Sequence, residues 1–370
     1  MELKIDKAAL LEGLYLAQGI ADRKSTMPIL ANVLLRTDGK DRLLVAATDL
    51  GITVSSELPC KVVGEGGITV GAKHLHDIVR ALPGEALFLK RGDNQYCEIR
   101  AGKVEYKVVG MSDRDFPKLP NHREVKLTKV DAPTLRDMIA KTFFSVSTDE
   151  TRYHLNGVLF ESNGKTARMV STDGHRLSKI DRPLEGGPVL ASGIIIPRKG
   201  LVEIRRALEA ADGQAELGVA NGHLFLRVKD VALSVKLIEA QFPPYEQVIP
   251  KENEKIAICP RLLVLESLRR ISLMSSDKTW GIKLSIRKGT LKVASDNPDL
   301  GEAHEEIEVS YDGAPLSIGF NAKYLIELLS EMEGDEVKLE LNGELDPGLL
   351  RPVADAANGS YVGVIMPMRI

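Results

Sequence analysis

The chain has 370 residues, 44% of them hydrophobic and 27% charged, with 49 Lys and Arg against 52 Asp and Glu and a formal net charge of −3. No apolar run approaches the roughly 20 residues needed to span a bilayer, and no basic stretch followed by an apolar run opens the sequence, so neither a helical membrane protein nor a secretory signal is expected. Cys60, Cys97 and Cys259 are scattered and odd in number, which argues against a disulfide framework or a Cys-x-x-Cys metal site and fits a reducing, cytoplasmic setting.

In chain order, residues 8–21 read as a helix with Leu10, Leu14 and Ala17 on one face, although Gly13 and Gly19 lower its propensity. β-rich runs follow at 30–36, 43–47 and 52–58, separated by Gly and Asp turn signals. Lys73 opens a second helix whose apolar positions are Leu75, Ile78, Val79 and Leu82, and strands at 86–90 and 96–100 close the section. The order then restarts. Beyond a linker at 120–123, Asp131 and Pro133 begin a helix carrying Leu135, Met138, Ile139 and Phe143. Strands at 154–161 and 166–171, a helix from Lys199 with Leu201, Ile204 and Leu208, and strands at 224–228 and 233–237 complete this round. A second linker at 250–254 leads to a helix over 261–271 with Val264, Leu268 and Ile271, and to another from Lys323 with Leu325, Leu328, Leu329 and Met332.

Three unrelated markers keep one period. An Ala/Ser-Thr/Ser-Asp segment places Asp49, Asp173 and Asp296 at intervals of 124 and 123 residues, and the helix-opening Lys73, Lys199 and Lys323 are 126 and 124 apart. The closing pairs Phe116-Pro117, Phe242-Pro243 and Met366-Pro367 repeat at 126 and 124. A unit this long is a domain with its own core rather than a solenoid slab. The expected architecture is therefore α+β: three tandem repeats of a two-helix plus β-sheet domain, over 1–121, 124–250 and 254–370.

Charge on the second helix of each repeat has its own pattern. Residues seven apart lie on nearly one line, and that line carries Lys73 and Arg80, Lys199 and Arg206, then Lys323 and Ser330. Arg198 and Arg205 lie beside it, and the first helices add Lys24, Arg136, Lys141, Arg269 and Arg270. One reading is a solvated face with local pairs, since Asp77, Glu203 and Glu327 follow each Lys by four residues. The other is a basic wall for a polyanion, contacting phosphates that carry no sequence information and binding in a salt-sensitive way. Aromatic content of 5% argues against a single-strand stacking platform.

Catalytic and metal readings find little support. Asp173, His175 and Ser178 lack a Gly-x-Ser-x-Gly elbow, and an Asp and His two apart in a tight turn do not form an oriented triad. His74 and His76 fall on different helix faces. The Gly64-Glu65-Gly66-Gly67 stretch lacks the Lys of a phosphate loop and reads as a turn. No catalytic residue, metal ligand or cofactor is assigned.

Five segments carry a family resemblance: Ser171-Thr172-Asp173-Gly174-His175-Arg176-Leu177, Arg152-Tyr153-His154-Leu155-Asn156-Gly157-Val158, Pro197-Arg198-Lys199-Gly200, Phe242-Pro243-Pro244-Tyr245 and Met366-Pro367-Met368-Arg369-Ile370. In register with the repeat, they resemble the bacterial DNA polymerase III beta subunit, the replicative sliding clamp. The resemblance implies a homodimer closing head to tail into a six-domain ring around double-stranded DNA, bound non-specifically. It also implies Lys24, Lys73, Arg152, Tyr153, His154, Arg198 and Lys199 nearest the DNA, to which the charge line adds Arg80 and Arg206. His154 stands where relatives often carry Tyr.

An apolar pocket between repeats two and three is implied as well, formed by Leu155, Thr172, Gly174, His175, Arg176, Leu177, Pro243, Val248, Val364, Met366, Pro367 and Met368. Asn321 and Tyr324 lie beside it, and Trp280 and Leu349 complete the set. Its implied partners are short peptide motifs of the polymerase alpha subunit, clamp-loader subunits, translesion polymerases, mismatch-repair proteins and ligase. Glu246-Gln247 replaces a stretch that is often basic in relatives. The location implied is cytoplasmic and nucleoid-associated. The alternative kept open is a repetitive protein-binding adaptor that does not encircle DNA.

Overall fold

The computed structural model describes residues 1–22, 24–276, 279–353 and 359–369, with Arg123 described by its backbone alone; Ile370, part of the terminal motif, lies outside the described residues. Six helices are described: α1 (Lys7–Ile20), α2 (Ala72–Ala81), α3 (Ala132–Phe143), α4 (Arg198–Glu209), α5 (Arg261–Ile271) and α6 (Ala322–Glu331). Each follows directly on a strand, so the repeated motif is strand into helix, used twice per repeat. Asp6 caps α1 by accepting from the Ala9 amide at 2.9 Å, and Asn321 caps α6 through the Tyr324 amide at 3.3 Å.

Two compact units divide the chain. The first contains residues 1–133, 186–188 and 199–237, and the second contains 134–185, 189–198 and 238–370. The division passes through the second repeat because that repeat gives some of its strands to one sheet and the rest to another.

In the first unit one antiparallel sheet runs in the order Glu2–Asp6, Ala86–Arg91, Tyr96–Ala101, Val104–Met111, Gly67–Gly71, Asn32–Asp38, Arg42–Thr48, Ile52–Gly64, Val231–Lys236, His223–Val228, Gln214–Ala220 and Thr128–Asp131. The strand Ile52–Gly64 joins two systems: its start pairs with Val231–Lys236, and its end pairs with Glu2–Asp6, where Ile5 faces Cys60. That double duty explains why it runs 13 residues, past the expected 58. Leu10, Leu14 and Ala17 of α1 are buried as expected, each Leu contributing about 1.5–3 kcal/mol by burial. Gly13 has a packing reason: a Cβ there would stand 3.0 Å from Leu58 Cδ1, so glycine lets the helix sit close on the sheet.

The second unit holds two sheets. One runs Ile194–Pro197, Gly157–Ser162, Thr166–Thr172, Arg176–Pro183, Ser360–Ile365, Gly348–Pro352, Glu336–Leu341 and Lys255–Pro260; the other runs Gly301–Glu308, Thr290–Asn297, Gly281–Arg287 and Leu316–Asn321. The pairing of Arg176–Pro183 with Ser360–Ile365, Leu177 facing Val364, sews a strand of repeat two to one of repeat three.

Several local expectations change. Residues 30–31 belong to a 3-10 turn, Pro28–Ala31, where Pro28 fixes φ and removes a ladder donor. Residues 154–155 end another, Glu150–Leu155, opened by the Asp149 side chain accepting from the Thr151 amide at 3.0 Å. Asp296 is in the strand Thr290–Asn297 opposite Glu302, and Asn297 takes over the turn by accepting from the Asp299 amide. Lys141 does not join an exposed basic face. It is 3% exposed, and its Nζ sits 2.5 Å from Asp137 and 2.9 Å from Glu333.

Candidate functional site

The hairpin turn between Thr166–Thr172 and Arg176–Pro183 is built by its own side chains. The Thr172 hydroxyl donates to the Arg176 carbonyl at 2.7 Å and accepts from the Gly174 amide at 3.1 Å. Asp173 Oδ1 accepts from the amides of His175 and Arg176 at 2.9 and 3.0 Å. Gly174 has φ +90°, which a side chain rarely tolerates. Asp173 is thus a turn-forming residue, and the Ser178 hydroxyl is committed to the Lys141 carbonyl. Neither is placed to serve as part of a hydrolytic triad.

The turn aims Arg176 inward. Its side chain is 10% exposed and pairs with Asp173 at 3.1 Å and with Glu327 of α6, while Nη2 donates to the Phe144 carbonyl at 2.5 Å. The guanidinium carbon lies 4.4 Å from the Tyr324 ring centroid, so every face of the charge is occupied. Burial and the nearby Asp173 carboxylate push the Tyr324 phenol up.

Beside this turn is a cavity of about 300 Å³. Leu155, Thr172, Gly174, Arg176 and Leu177 form one side; Pro243, Pro244, Tyr245, Gln247 and Val248 form another; Val364 and Met366 close it. Beneath lies a packed cluster in which Tyr245, Leu177, Val364 and fully buried Leu349 take part. Leu349, fully buried and in register with Val364, packs in this cluster and is not among the residues that line the cavity. Val248 and Met366 are 44% and 37% exposed, and with the other lining residues they form contiguous apolar surface open to solvent.

The other expected residues lie around it. His175 stacks on Tyr324 at 6.5 Å, and its carbonyl accepts from the Met366 amide. Met368 donates its amide to Gly319, and Pro367 stands between them. Asn321 donates to the Thr279 carbonyl, and Trp280, at φ +51°, accepts from the Ala322 amide. His175, Trp280, Asn321, Tyr324, Pro367 and Met368 are thus outside the cavity's lining. Pro244, Tyr245 and Gln247 line it without having been assigned. Their signal was present in the Phe-Pro-Pro-Tyr motif, but a Tyr reads equally well as core.

The basic residues divide by what holds them. Lys73 and Arg80 are exposed on α2, and Arg80 reaches Asp77 at 3.5 Å. Lys199 pairs with Asp49. Arg206 is half-buried against Glu203 at 3.3 Å and over the Tyr15 ring at 5.3 Å. Burial raises the Glu203 carboxyl's pKa, which Arg206 counters. The expected four-residue pairs to Lys73, Lys199 and Lys323 do not form among the described residues: Asp77 and Glu203 bond the Arg three residues on, and Glu327 bonds Arg176. Lys24 is exposed. Arg152, Tyr153 and His154 occupy the 3-10 turn next to Leu155; Arg152 bonds Asp149, whose carboxyl is held at about 2 by bonds from Thr151 and Arg152. Arg198 lies over the Phe143 ring at 5.1 Å.

Three family models match in succession, the N-terminal, central and C-terminal domains of the DNA polymerase III beta subunit, at residues 1–120, 129–244 and 246–369. The chain belongs to the DNA polymerase III beta subunit family, the sliding clamps. It is 36% identical to the beta sliding clamp of Caulobacter vibrioides, with all of both chains covered. Among solved structures, the DNA polymerase sliding clamp from Caulobacter crescentus matches at 34% identity with TM-score 0.92, again over both full chains. The Pseudomonas aeruginosa sliding clamp bound to griselimycin matches at 32% identity and TM-score 0.93, over the same full extent. The α+β fold of three clamp repeats is thus that of the family.

Proposed function

We propose that the chain is the processivity ring of a bacterial replicative DNA polymerase. Two copies close head to tail around double-stranded DNA and hold it without reading its sequence. Each chain contributes three domains, 1–121, 124–250 and 254–370. The observation that carries the reading is the successive match of all three clamp repeats along the chain. The protein acts by enclosure and tethering, without catalysis, metal or cofactor, in the cytoplasm at the nucleoid.

Free strand edges support the closed dimer. Among the described residues, the edge Gly301–Glu308 has one partner strand, and Val104–Val109 is likewise paired on one side. Joining them satisfies backbone groups that otherwise invite aggregation. Lys24, Lys73, Arg80, Arg152, Tyr153, His154, Arg198, Lys199 and Arg206 form the DNA-facing set, with Lys73 and Lys24 its least committed charges. Loaded on nicked circular duplex, the protein should survive dilution and leave when the circle is cut; equal retention on linear DNA rejects encirclement and favours the adaptor reading.

The groove beside Arg176 is the docking site for short peptide motifs of the polymerase alpha subunit, clamp-loader subunits, translesion polymerases, mismatch-repair proteins and ligase. Its apolar, Pro- and Met-containing lining suits one adaptable site shared by several partners. Removing residues 366–370 should abolish partner binding and leave the dimer intact. Undiminished binding removes the assignment.

A further inference from the structure

Behind the groove's Pro244–Val248 side runs a polar chain that the peptide reading leaves unused. The Tyr245 ring is 8% exposed and packed in the cluster under the cavity, but its hydroxyl emerges on the far side. There it accepts from Arg168 Nη1 at 3.0 Å and donates to Glu161 Oε2 at 3.2 Å. Arg168 Nε donates to Asp181 Oδ1 at 2.6 Å, and Asp181 Oδ2 accepts from Ser360 at 2.9 Å and from Lys179 at 2.6 Å. Ser360 begins the strand Ser360–Ile365, which carries Val364, one of the two residues that close the groove. One hydrogen-bonded path therefore links the Pro244–Val248 side of the groove to the strand that closes it.

We infer that Arg168 is a positioning residue for the groove, its planar fork fixing the Tyr245 hydroxyl to Asp181 so that the Tyr245–Val248 turn and the Ser360–Ile365 strand are held at one spacing. The inference rests on the groove reading and adds what sets its width. Two features single out Arg168. It reaches Tyr245 and Asp181 from different nitrogens, which a lysine cannot reproduce. Its charge is also matched on three sides, by Asp181, by Glu161 at 3.9 Å and by Glu246 at 3.6 Å, and Glu246 is itself part of the wall-forming turn. Burial works against the guanidinium's charge, but the bonds to Asp181 and Tyr245 outweigh it.

The test uses the full-length chain with griselimycin as probe, read by calorimetric titration, and hydrogen exchange of the Gln247 amide, which donates to the Pro244 carbonyl at 3.2 Å. Tyr245→Phe removes one hydroxyl and keeps the ring; Arg168→Met removes the fork. Each should weaken griselimycin about 5- to 10-fold, because each breaks the Arg168–Tyr245 bond that fixes the turn. The double variant should be no weaker than the poorer single, because both cut the same path. Arg168→Lys should share the loss, and all variants should exchange Gln247 faster. Additive losses, normal binding by Arg168→Lys, or unchanged exchange overturns the inference. Failure of the unaltered chain to bind griselimycin counts against the groove reading instead, and the exchange measurement still decides the role of Arg168.

Discussion

The first and second repeats fold the same turn and use it differently. In both, a Thr hydroxyl bonds the carbonyl four residues on: Thr48 to Ile52 at 3.0 Å and Thr172 to Arg176 at 2.7 Å. In both, the next Asp accepts two amides through one oxygen, Asp49 from Gly51 and Ile52, Asp173 from His175 and Arg176. The side chain delivered at the end is apolar Ile52, 3% exposed, in one repeat and Arg176 in the other. The free Asp oxygen follows suit, bonding Lys199 of α4 in the first and Arg176 itself in the second. A repeat thus supplies a scaffold that places a side chain, and a single residue decides whether that place is core or the wall of a groove.

Exchanging the two delivered residues should break the comparison most visibly. Ile52→Arg buries a guanidinium in an apolar place where the counterpart of Glu327, Glu203 of α4, is already paired with Arg206, and a loss of about 4 kcal/mol or more is expected; urea unfolding monitored by circular dichroism measures it. Arg176→Ile is next. It strands Glu327 and the Phe144 carbonyl, for an expected loss of about 3 kcal/mol by the same assay and loss of groove binding. A smaller penalty for Ile52→Arg than for Arg176→Ile would mean the two turns are not equivalent platforms.

Much of this was legible in the sequence, and the limits are physical. The period, the six amphipathic helices and the turn-forming role of small polar residues are local patterns, and Arg261–Ile271 matches its expected span. Pairings between distant strands leave no such trace. Nothing near Asp181 announces Ser360, 179 residues on, so the path behind Tyr245 and the split of repeat two between two units were invisible. Lys141 misled for the same reason: its helix position reads as solvent-facing, and besides Asp137 one turn away its partners are Glu333 and the Tyr361 ring, 192 and 220 residues on. Asp296 misled differently, because the third repeat keeps the segment but shifts its turn onto Asn297.

The shared hydroxyl bonds give a sharper and smaller comparison. Thr48→Val and Thr172→Val each remove a bond to a carbonyl and leave an amide, Leu50 or Gly174, without its acceptor. Losses of about 1 kcal/mol each are expected. Thr48 should be the costlier, since it is 3% exposed and also meets the Thr53 hydroxyl at 2.8 Å. Unfolding midpoints of the two variants measure this, and a loss in one alone would contradict the common construction.

The smallest effects should differ in sign at the position after the Asp. Both repeats need a left-handed backbone there, Leu50 at φ +72° and Gly174 at φ +90°. Leucine is strained in that conformation by about 1–2 kcal/mol, and being 56% exposed it gains little burial in return. Glycine's extra unfolded-state entropy offsets roughly 0.5–1 kcal/mol, so Leu50→Gly should stabilise by about 0.5 kcal/mol. Gly174→Ala should destabilise by about 1 kcal/mol, because the new Cβ would meet both the strained φ and Arg152 Nη1 at 3.0 Å. Thermal midpoints moving the same way in the two variants would show that neighbours, not the shared backbone conformation, govern this position.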